Sequence, residues 1–572
     1  MSAEILNIIE KSASRDLQFS RRAFAGLATV GAMGALLSPM LSACTQPTGT
    51  NDSNADNGTN QTNANDSANT GKTSQVTIAM GASSEPEAGF DPFFGWGCGE
   101  HGHEPLIQST LVTTTLNMGF ANDLATSYSC SEDGLTWTFK IRDDVKFSNG
   151  ITLTAKDIAF TLEGIRDSKG SQTDLSMIKN VDTPDEQTVI INLEKPYNAL
   201  LYTLALIGIV PAQTYDSNYG EKPIGSGRYL LEQWDRGQQV ILVANPDYYG
   251  EAPKMQRVVV VFMAEDASLA AARSGQVDLA YTSATFSSQQ LNGYSILACQ
   301  SVDSRGISLP TQEPKGSKDV DGVLYPLGNA ITSDIAIRRA LNMATNRDLM
   351  VENVLNGYGT PAFSVSDGMP WASKEMILKT DIQAAKQVLS DAGWVLGSDG
   401  ILVKDTLRAQ IDLYYPANDT VRQALASEFS NQIKEIGIQI NVHGLSWDEL
   451  YAHSLSDPIL WGWGSNSPAE LYSLYHSEGS ANFPSYYNDV IDEHLDAALS
   501  TNKIEDSYAI WQSAEWDGSV GVAPQGAATW VWFANIDHLY FKRDNLIVAK
   551  QKLHPHGHGW SVVNNVDQWT WQ

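Results

Sequence analysis

Near the C-terminus the stretch "KLHPHGHGWSV" sets imidazoles at His554, His556 and His558, and far upstream His101 and His103 repeat the alternate spacing. The chain has only ten histidines, so half of them lie in these two short stretches. Imidazole nitrogen suits borderline divalent metals such as nickel. Along a strand the three C-terminal histidines would share one face, with successive Cα atoms about 6–7 Å apart. Pro555, Gly557 and Gly559 disfavour a strand and predict a tight loop, on which imidazoles can still converge. The competing reading is a glycine-rich closing loop whose histidines are hydrogen-bonded structural residues. Residues alone leave both readings open. Enzymatic chemistry has no comparable signal: G-x-S-x-G and H-E-x-x-H are absent and no triad spacing occurs, so the chain reads as a non-enzyme.

A long, acidic chain must position these residues. At 572 residues it exceeds one core and predicts two or three domains. Its formal net charge of −29 argues against nucleic acid, which needs a basic footprint. A hydrophobic content of 42% is ordinary for a soluble globular protein.

The N-terminal stretch "SRRAFAGLATVGAMGALLSPMLSACTQ" pairs Arg21 and Arg22 with an apolar run that ends at "LSAC". The run has the length of a signal segment and is too short and too rich in Gly and Ala for a stable span. "SRRAF" resembles a twin-arginine export signal, although general secretory signals also carry Arg-Arg. "LSAC" resembles a lipobox, which makes Cys44 the lipidated residue; two acyl chains anchor where one does not. Residues 45–75 are almost wholly Asn, Thr, Asp, Ser and Gly and predict a disordered tether. Two decoys lie there. Gly71-Lys72-Thr73 lacks the glycine and strand of a phosphate loop, and "DSNADNG" lacks the glycine position and glutamate of a calcium loop. Cys98, Cys130 and Cys299 remain; an oxidising compartment permits a Cys98–Cys130 bridge, and three free thiols fit equally.

Along the globular part, "QVTIAMG" alternates as a strand, and "LTWTFKIRDDVKFSNGITLTAKDIAFTLEGI" reads as strand, turn at Asn149-Gly150, short strand, and a helix capped by Thr154. "TVIINLEKPY" is another strand, and "GRYLLEQWDRGQQVILVANPDYYG" a hairpin about Asp235-Arg236-Gly237. "RVVVVFM" then leads to the helix "ASLAAARSGQVD". From about residue 305 longer helices dominate: "DIAIRRALNMATNRDLMVENVL", "DIQAAKQVLSDAG" and "TVRQALASEFSNQIKEIG" carry apolar residues at helical spacing. The strands "AQIDLYY" and "IQINVHGL" flank the last of these, a strand–helix–strand unit of a parallel sheet. "LIVAKQKL" reads as a final strand. The class is α/β with at least two lobes.

Several of these segments together resemble the dipeptide/oligopeptide/nickel-type solute-binding proteins of ABC importers, solute-binding family 5. The motifs are "DLATSYSCSEDGLTWTFKIRDDVKFSNGITLTAKDIAFTLE", "KPIGSGRYLLEQWDRGQQVILVANPDYYGEAPKMQRVVV", "SGQVDLAY", "DIAIRRALNMATNRDLMVENVLNGYGTPA", "AAKQVLSDAGW" and "NQIKEIGIQI". The resemblance runs from about residue 76 to 545; one departure is Arg228, where the family usually has proline after its glycine turn. It implies a two-lobed periplasmic-binding-protein-like fold (type II, cluster C) with a hinged cleft and a small extra subdomain. With the N-terminal signals, the division is 1–43 export signal, 44–75 lipidated cysteine and tether, 76–305 lobe I (small subdomain about 92–221), 306–528 lobe II, and 529–572 returning to lobe I. The implied hinge lies near Arg305-Gly306-Ile307 and residues 526–533.

The resemblance also implies a job: an extracytoplasmic, membrane-anchored, monomeric receptor that hands a solute to a permease driven by a separate ATPase. Trp461 and Trp463 in "LWGWGSNSPAELYSLYHSEG" are then candidates to line the cleft, with core packing as the competing reading of each. Trp96 in "FDPFFGWGCGEHGH" lies on the first ligand-contacting loop. Arg305 interrupts a crossing strand and suits a ligand carboxylate, unless a nearby Asp takes it within the lobe. His476 reaches toward a metal or peptide, or toward solvent. No cofactor is required; nickel or another divalent metal enters as ligand. The arginine of the family's nickel receptors is replaced by apolar residues around Ile207 and Gly208, while the histidine loops favour metal. Oligopeptide is the first expectation, nickel or a nickel–histidine-type chelate the alternative, and an adhesin or sensor that kept the binding fold the remote third.

Overall fold

The computed structural model describes residues 74–97, 103–171, 173–320, 322–557 and 559–572. Arg21, Arg22, Cys44, Cys98, His101 and His558 lie outside the described residues, as does the side chain of Trp96.

Among the described residues, alternating and fully apolar runs form three larger sheets, accompanied by smaller two- and three-stranded ones. The largest has seven strands in the order Tyr294–Cys299, His538–Arg543, Leu279–Thr282, Gln75–Met80, Arg257–Phe262, Gln239–Ala244, Tyr229–Asp235. Gln75–Met80 runs parallel to both of its neighbours and is buried from Ile78 to Met80, so it is the spine of lobe I. A four-stranded antiparallel sheet built from Ala125–Cys130, Thr136–Ile141, Thr188–Leu193 and Ile178–Asp185 makes the small subdomain. Its helix Ala155–Asp167 starts at Thr154, whose backbone N–H donates to Asp157, and buries Ile158, Leu162 and Ile165 against that sheet.

Lobe II holds a six-stranded sheet in the order Gly359–Pro361, Trp530–Ile536, Ser304–Ser308, Ile459–Trp463, Gln410–Pro416, Gln439–Leu445. The last two strands are parallel and joined by the helix Thr420–Ile433, the expected strand–helix–strand unit. Gly437, at φ +81°, takes the left-handed conformation that ends this helical segment. The run "DIAIRRALNMATNRDLMVENVL" divides into helices Ile335–Ala344 and Arg347–Asn353. Asn346 accepts from the Leu349 N–H and starts the second helix, and the buried Arg347 guanidinium donates to the carbonyls of Ala362 and Trp532.

The chain leaves the lobe I sheet after Cys299 and joins the lobe II sheet at Ser304; it returns between Ile536 and His538. The first exchange thus sits just before the expected division at 305, whereas the second falls well past the expected one at 528, because Ser304–Ser308 and Trp530–Ile536 pair with each other inside lobe II. The C-terminal strand is also shorter than "LIVAKQKL" suggests: only Leu546–Ile547 pairs, with Thr570–Trp571. Beyond it a side chain, Asn565 Nδ2, donates to the Lys550 carbonyl, and the backbone next pairs at His554, bridged to Ser301. The final residues are part of the lobe I core: Trp560 and Trp569 are buried among Val76, Ile78 and Tyr229, and the Trp571 indole donates to the Gln75 carbonyl. Cys299 is buried in this lobe and Cys130 half-buried in the subdomain; both are free thiols.

One buried carboxyl in lobe II carries a pH consequence. Glu515 lies beneath Ser364, Ser366 and Ser373, and burial pushes its carboxyl up to about 7. The folded state therefore holds a proton that the unfolded chain releases at ordinary carboxylate pH. The associated stability is fully present below the unfolded carboxylate pKa and is lost as pH rises through about 7. We expect Glu515→Gln to gain in melting temperature relative to the parent between pH 5 and pH 8, by the equivalent of about 3 kcal/mol at most, measured by thermal unfolding across that range.

Candidate functional site

A cavity of about 350 Å³ opens between the lobes. The subdomain and lobe I present Glu104, Tyr197, Tyr202, Ile207 and Gly208; lobe II presents Trp463 to Ser467 and Glu470. A third wall is the C-terminal segment, which contributes Lys552, Leu553, Pro555, His556, Ser561 and Asn564. That segment is tied to both sides. The His554 carbonyl accepts from the Val302 N–H at 2.9 Å, and the His556 N–H donates to the Gly464 carbonyl at 2.8 Å. Asn466 donates to the Leu553 carbonyl at 3.2 Å.

Trp461 and Trp463 lie two residues apart on strand Ile459–Trp463 and so share one face of it, yet they meet different surroundings. Trp461 is 3% exposed, stacks on Phe483 at 4.4 Å and donates to Ser308 Oγ at 3.0 Å, which makes it core. Trp463 lines the cavity, and its buried Nε1 has no hydrogen-bond partner among the described residues. Gly95, in the same short helix as Trp96, also lines the cavity.

Arg305 is placed otherwise than a ligand anchor requires. Both its terminal nitrogens donate to the Asp303 carboxylate in a buried pair, and it borders a neighbouring cavity of about 160 Å³ rather than the main one. A carboxylate two residues away on the same chain is nearer than any solute. His476 is also turned from the cleft: it is buried, stacked on Tyr472 at 4.2 Å, and its Nδ1 accepts from the Glu478 N–H at 3.0 Å.

The histidine loops divide. His103 lines the main cavity and stacks on Trp560 at 5.9 Å. His554 points inward, 1% exposed, with its Nδ1 3.1 Å from His538 Nδ1 and its Nε2 3.2 Å from Gln551 Oε1. His556 lines the cavity, and its Nδ1 meets the Asp303 carboxylate. Among the described residues no three His, Cys, Asp or Glu side chains converge on a metal position, so His103, His554 and His556 do not form one cluster there.

Asp303 receives Arg305, His556 and, at 3.1 Å, His538 Nε2. Burial opposes its ionisation, but Arg305 and His556 outweigh burial and hold the carboxyl well below the usual range. Burial pushes His554 well down and His556 down, the latter aided by the charges of Arg305 and Arg422. Arg422, paired to Asp419, is itself pushed down to about 10 by burial and by Arg305. These groups meet over Gly462, where an added Cβ would lie 2.7 Å from both Arg305 Nη1 and His556 Cε1, and nearer still to Arg422 Nη2.

A second ion pair, Lys552 Nζ to Glu104 Oε1 at 2.5 Å, sits on the cavity wall, with Thr114 Oγ1 donating to the same oxygen at 2.6 Å. Sequence reasoning missed Asp303, His538, Glu104 and Lys552. Asp303 stands two residues before Arg305, a spacing that offers a local pair; nothing local marks the others.

A match to the family described as Bacterial extracellular solute-binding proteins, family 5 Middle, spans residues 119–485. Protein XP55 of Streptomyces lividans is 31% identical over 498 residues, covering 83% of this chain and 86% of the relative. The oligopeptide-binding protein AppA of Bacillus subtilis is 26% identical over 81% of this chain and 86% of its own. The nickel-binding periplasmic protein of Escherichia coli is 27% identical over 68% of this chain and 77% of its own. The crystal structure of Campylobacter jejuni NikZ in complex with Ni(L-His) superposes with a TM-score of 0.73 at 24% identity, covering 87% of this chain and 99% of that one.

Because the space over Gly462 is already filled by three side chains, Gly462→Ala should overpack the site. The expected loss is about 1–3 kcal/mol, read as a lowered melting temperature.

Proposed function

The chain belongs to the bacterial extracellular solute-binding proteins of family 5, non-enzymatic peptide- or nickel-type receptors of ABC import systems, and from that premise we propose that its solute is a nickel ion carried by a small histidine-type chelator. The observation that carries this reading is the imidazole of His556 on the wall of a 350 Å³ cavity, with His103 lining the same space. That volume lies at the small end for ligand sites, which suits a compact chelate better than the oligopeptide first expected. A chelator fills much of the metal's coordination sphere, so the protein needs to add only one or two nitrogen ligands. Ile207 and Gly208 leave their wall apolar, which favours an imidazole over an arginine as the polar anchor. Trp463, Tyr197 and Tyr202 supply flat apolar surfaces for an imidazole-bearing chelator.

A dipeptide is the second reading, favoured by the Lys552–Glu104 pair, which offers both signs of charge to a zwitterion. In either case Cys44 anchors the receptor through its lipid, and residues 45–75 tether it within reach of a permease and its ATPase. Among the described residues no helix is long and apolar enough to cross a membrane.

Thermal unfolding of the mature protein with NiCl2, L-histidine, both together, and short-peptide pools tests the reading. Ligand at 100 times its Kd stabilises the folded state by about 2.7 kcal/mol. Nickel plus histidine is expected to raise the melting temperature well beyond either alone. A shift with peptides and none with nickel–histidine would return the oligopeptide reading.

A further inference from the structure

Behind one wall of the cleft cavity lies a second cavity of about 320 Å³, nearly the size of the first. Glu104, Pro105, Thr114, Lys552 and Asn564 line both, so a single layer of residues divides them. The rest of the second cavity is built from lobe I and the C-terminal segment, with Asp123, Arg228, Tyr248 and Lys550 among its walls. Among the described residues none from lobe II lines it, so this space does not depend on where lobe II stands.

The dividing wall is closed by charge. Glu104 Oε1 accepts from Lys552 Nζ at 2.5 Å and from Thr114 Oγ1 at 2.6 Å, while Oε2 accepts from Thr113 Oγ1 at 3.2 Å. The Lys552 and Glu104 side chains are 17% and 10% exposed, so water screens their attraction less than on an open surface. Both turn about several rotatable bonds, and the wall can part without the backbone moving. The second cavity is furnished for polar groups. Asp123 accepts from the Thr110 N–H at 3.0 Å and from the Tyr249 hydroxyl. Arg228, in the place of the expected proline, donates to Asp567 at 2.6 Å and to the Asn564 carbonyl at 2.9 Å, which fixes Asn564 in the wall. The Asn564 side chain keeps a buried oxygen, Oδ1, with no hydrogen-bond partner among the described residues. A buried acceptor without a donor is costly, and a solute N–H reaching the wall would satisfy it.

We propose that the Lys552–Glu104 pair is a specificity-determining partition: closed, it confines the solute to the cleft cavity, and the chamber behind it is the space that a longer chelator or peptide would occupy. The inference rests on the cleft cavity as the solute site, in either reading of the solute. With the pair closed the site has room for a compact solute only. Joined, the two cavities would reach the middle of the ordinary range for ligand sites. A longer solute must part a sheltered ion pair before it gains any contact beyond it, and that cost is what discriminates against length.

Isothermal titration calorimetry of the mature protein tests this with two series of increasing length. One is NiCl2 with L-histidine and then with histidyl-alanine di-, tri- and tetrapeptides; the other is alanine di-, tri- and tetrapeptides without metal. In the series that the parent binds, affinity is expected to fall at least about 10-fold from the shortest member to the longest, the cost of parting one buried charged contact. In the double variant Glu104→Ala/Lys552→Ala, which leaves neither charge unpaired, that fall is expected to vanish. If the double variant does not fold, Lys552→Ala, which leaves Glu104 its two threonine donors, is read in the same way. The difference between parent and variant carries the result, because chelate chemistry that changes with length affects both alike. A parent that binds the longest member as tightly as the shortest overturns the inference, and so does a folded variant that keeps the parental fall; either leaves the solute site standing. A parent that binds no member of either series removes the solute site and the inference with it.

Discussion

The buried carboxylate of Asp303 is the constraint around which the lobe junction is arranged. A lone buried anion is costly, and it persists only where cations and donors enclose it. Here the enclosure is drawn from three places: Arg305 on the first strand of lobe II, His538 on the returning strand of lobe I, and His556 on the C-terminal segment. One side chain thereby joins both lobes and the segment that lines the cleft between them. Removing one partner from such a set costs several kcal/mol because the remaining charge is left buried.

The cleft inherits its shape from that arrangement. Strand Ile459–Trp463 lies against Ser304–Ser308, and Gly462 falls opposite Arg305 in the register. The missing side chain at 462 makes room for two guanidiniums and an imidazole, while the residues on either side, Trp461 and Trp463, point the other way from it. Trp461 reaches the lobe core and Trp463 the cavity because the chain past Trp463 turns at Gly464, whose carbonyl holds His556. Lys552 and Glu104 close the opposite wall, shielded enough that their attraction is not fully screened by water.

Much of this scaffold was legible in the residues. Period-two apolar runs marked the spine Gln75–Met80 and the hairpin about Arg236, and helical spacing with a terminal glycine marked Thr420–Ile433 and its flanking parallel strands. Local chemistry carried those elements. The helix break at Asn346 was less visible, since apolar spacing continues across it and it is marked by the Asn346 side chain capping the start of the second helix. The site was legible in its residue types and less so in their roles. Arg305 was marked as out of place in a crossing strand, and its partner, two residues away, was an equal candidate to a solute. His476 was read as reaching a ligand or solvent, and the structure instead buries it against Tyr472.

Sequence by itself determined the class of the chain: an α/β, two-lobed receptor of family 5, with histidines concentrated in two short stretches. These properties depend on periodicity, turn residues and motifs a few positions long, which neighbouring residues suffice to specify. Tertiary structure alone decided which histidine faces the cleft and which is locked inside. His554 and His556 are two residues apart and share Pro555 as a neighbour; what separates them is His538 on one side and Asp303 with the open cavity on the other. Glu104 and Lys552 are 448 residues apart, and no local pattern can announce a pair that exists only when the last segment returns between the lobes. Charge pairing in a low-dielectric interior is set by distance in space, and the sequence records distance along the chain.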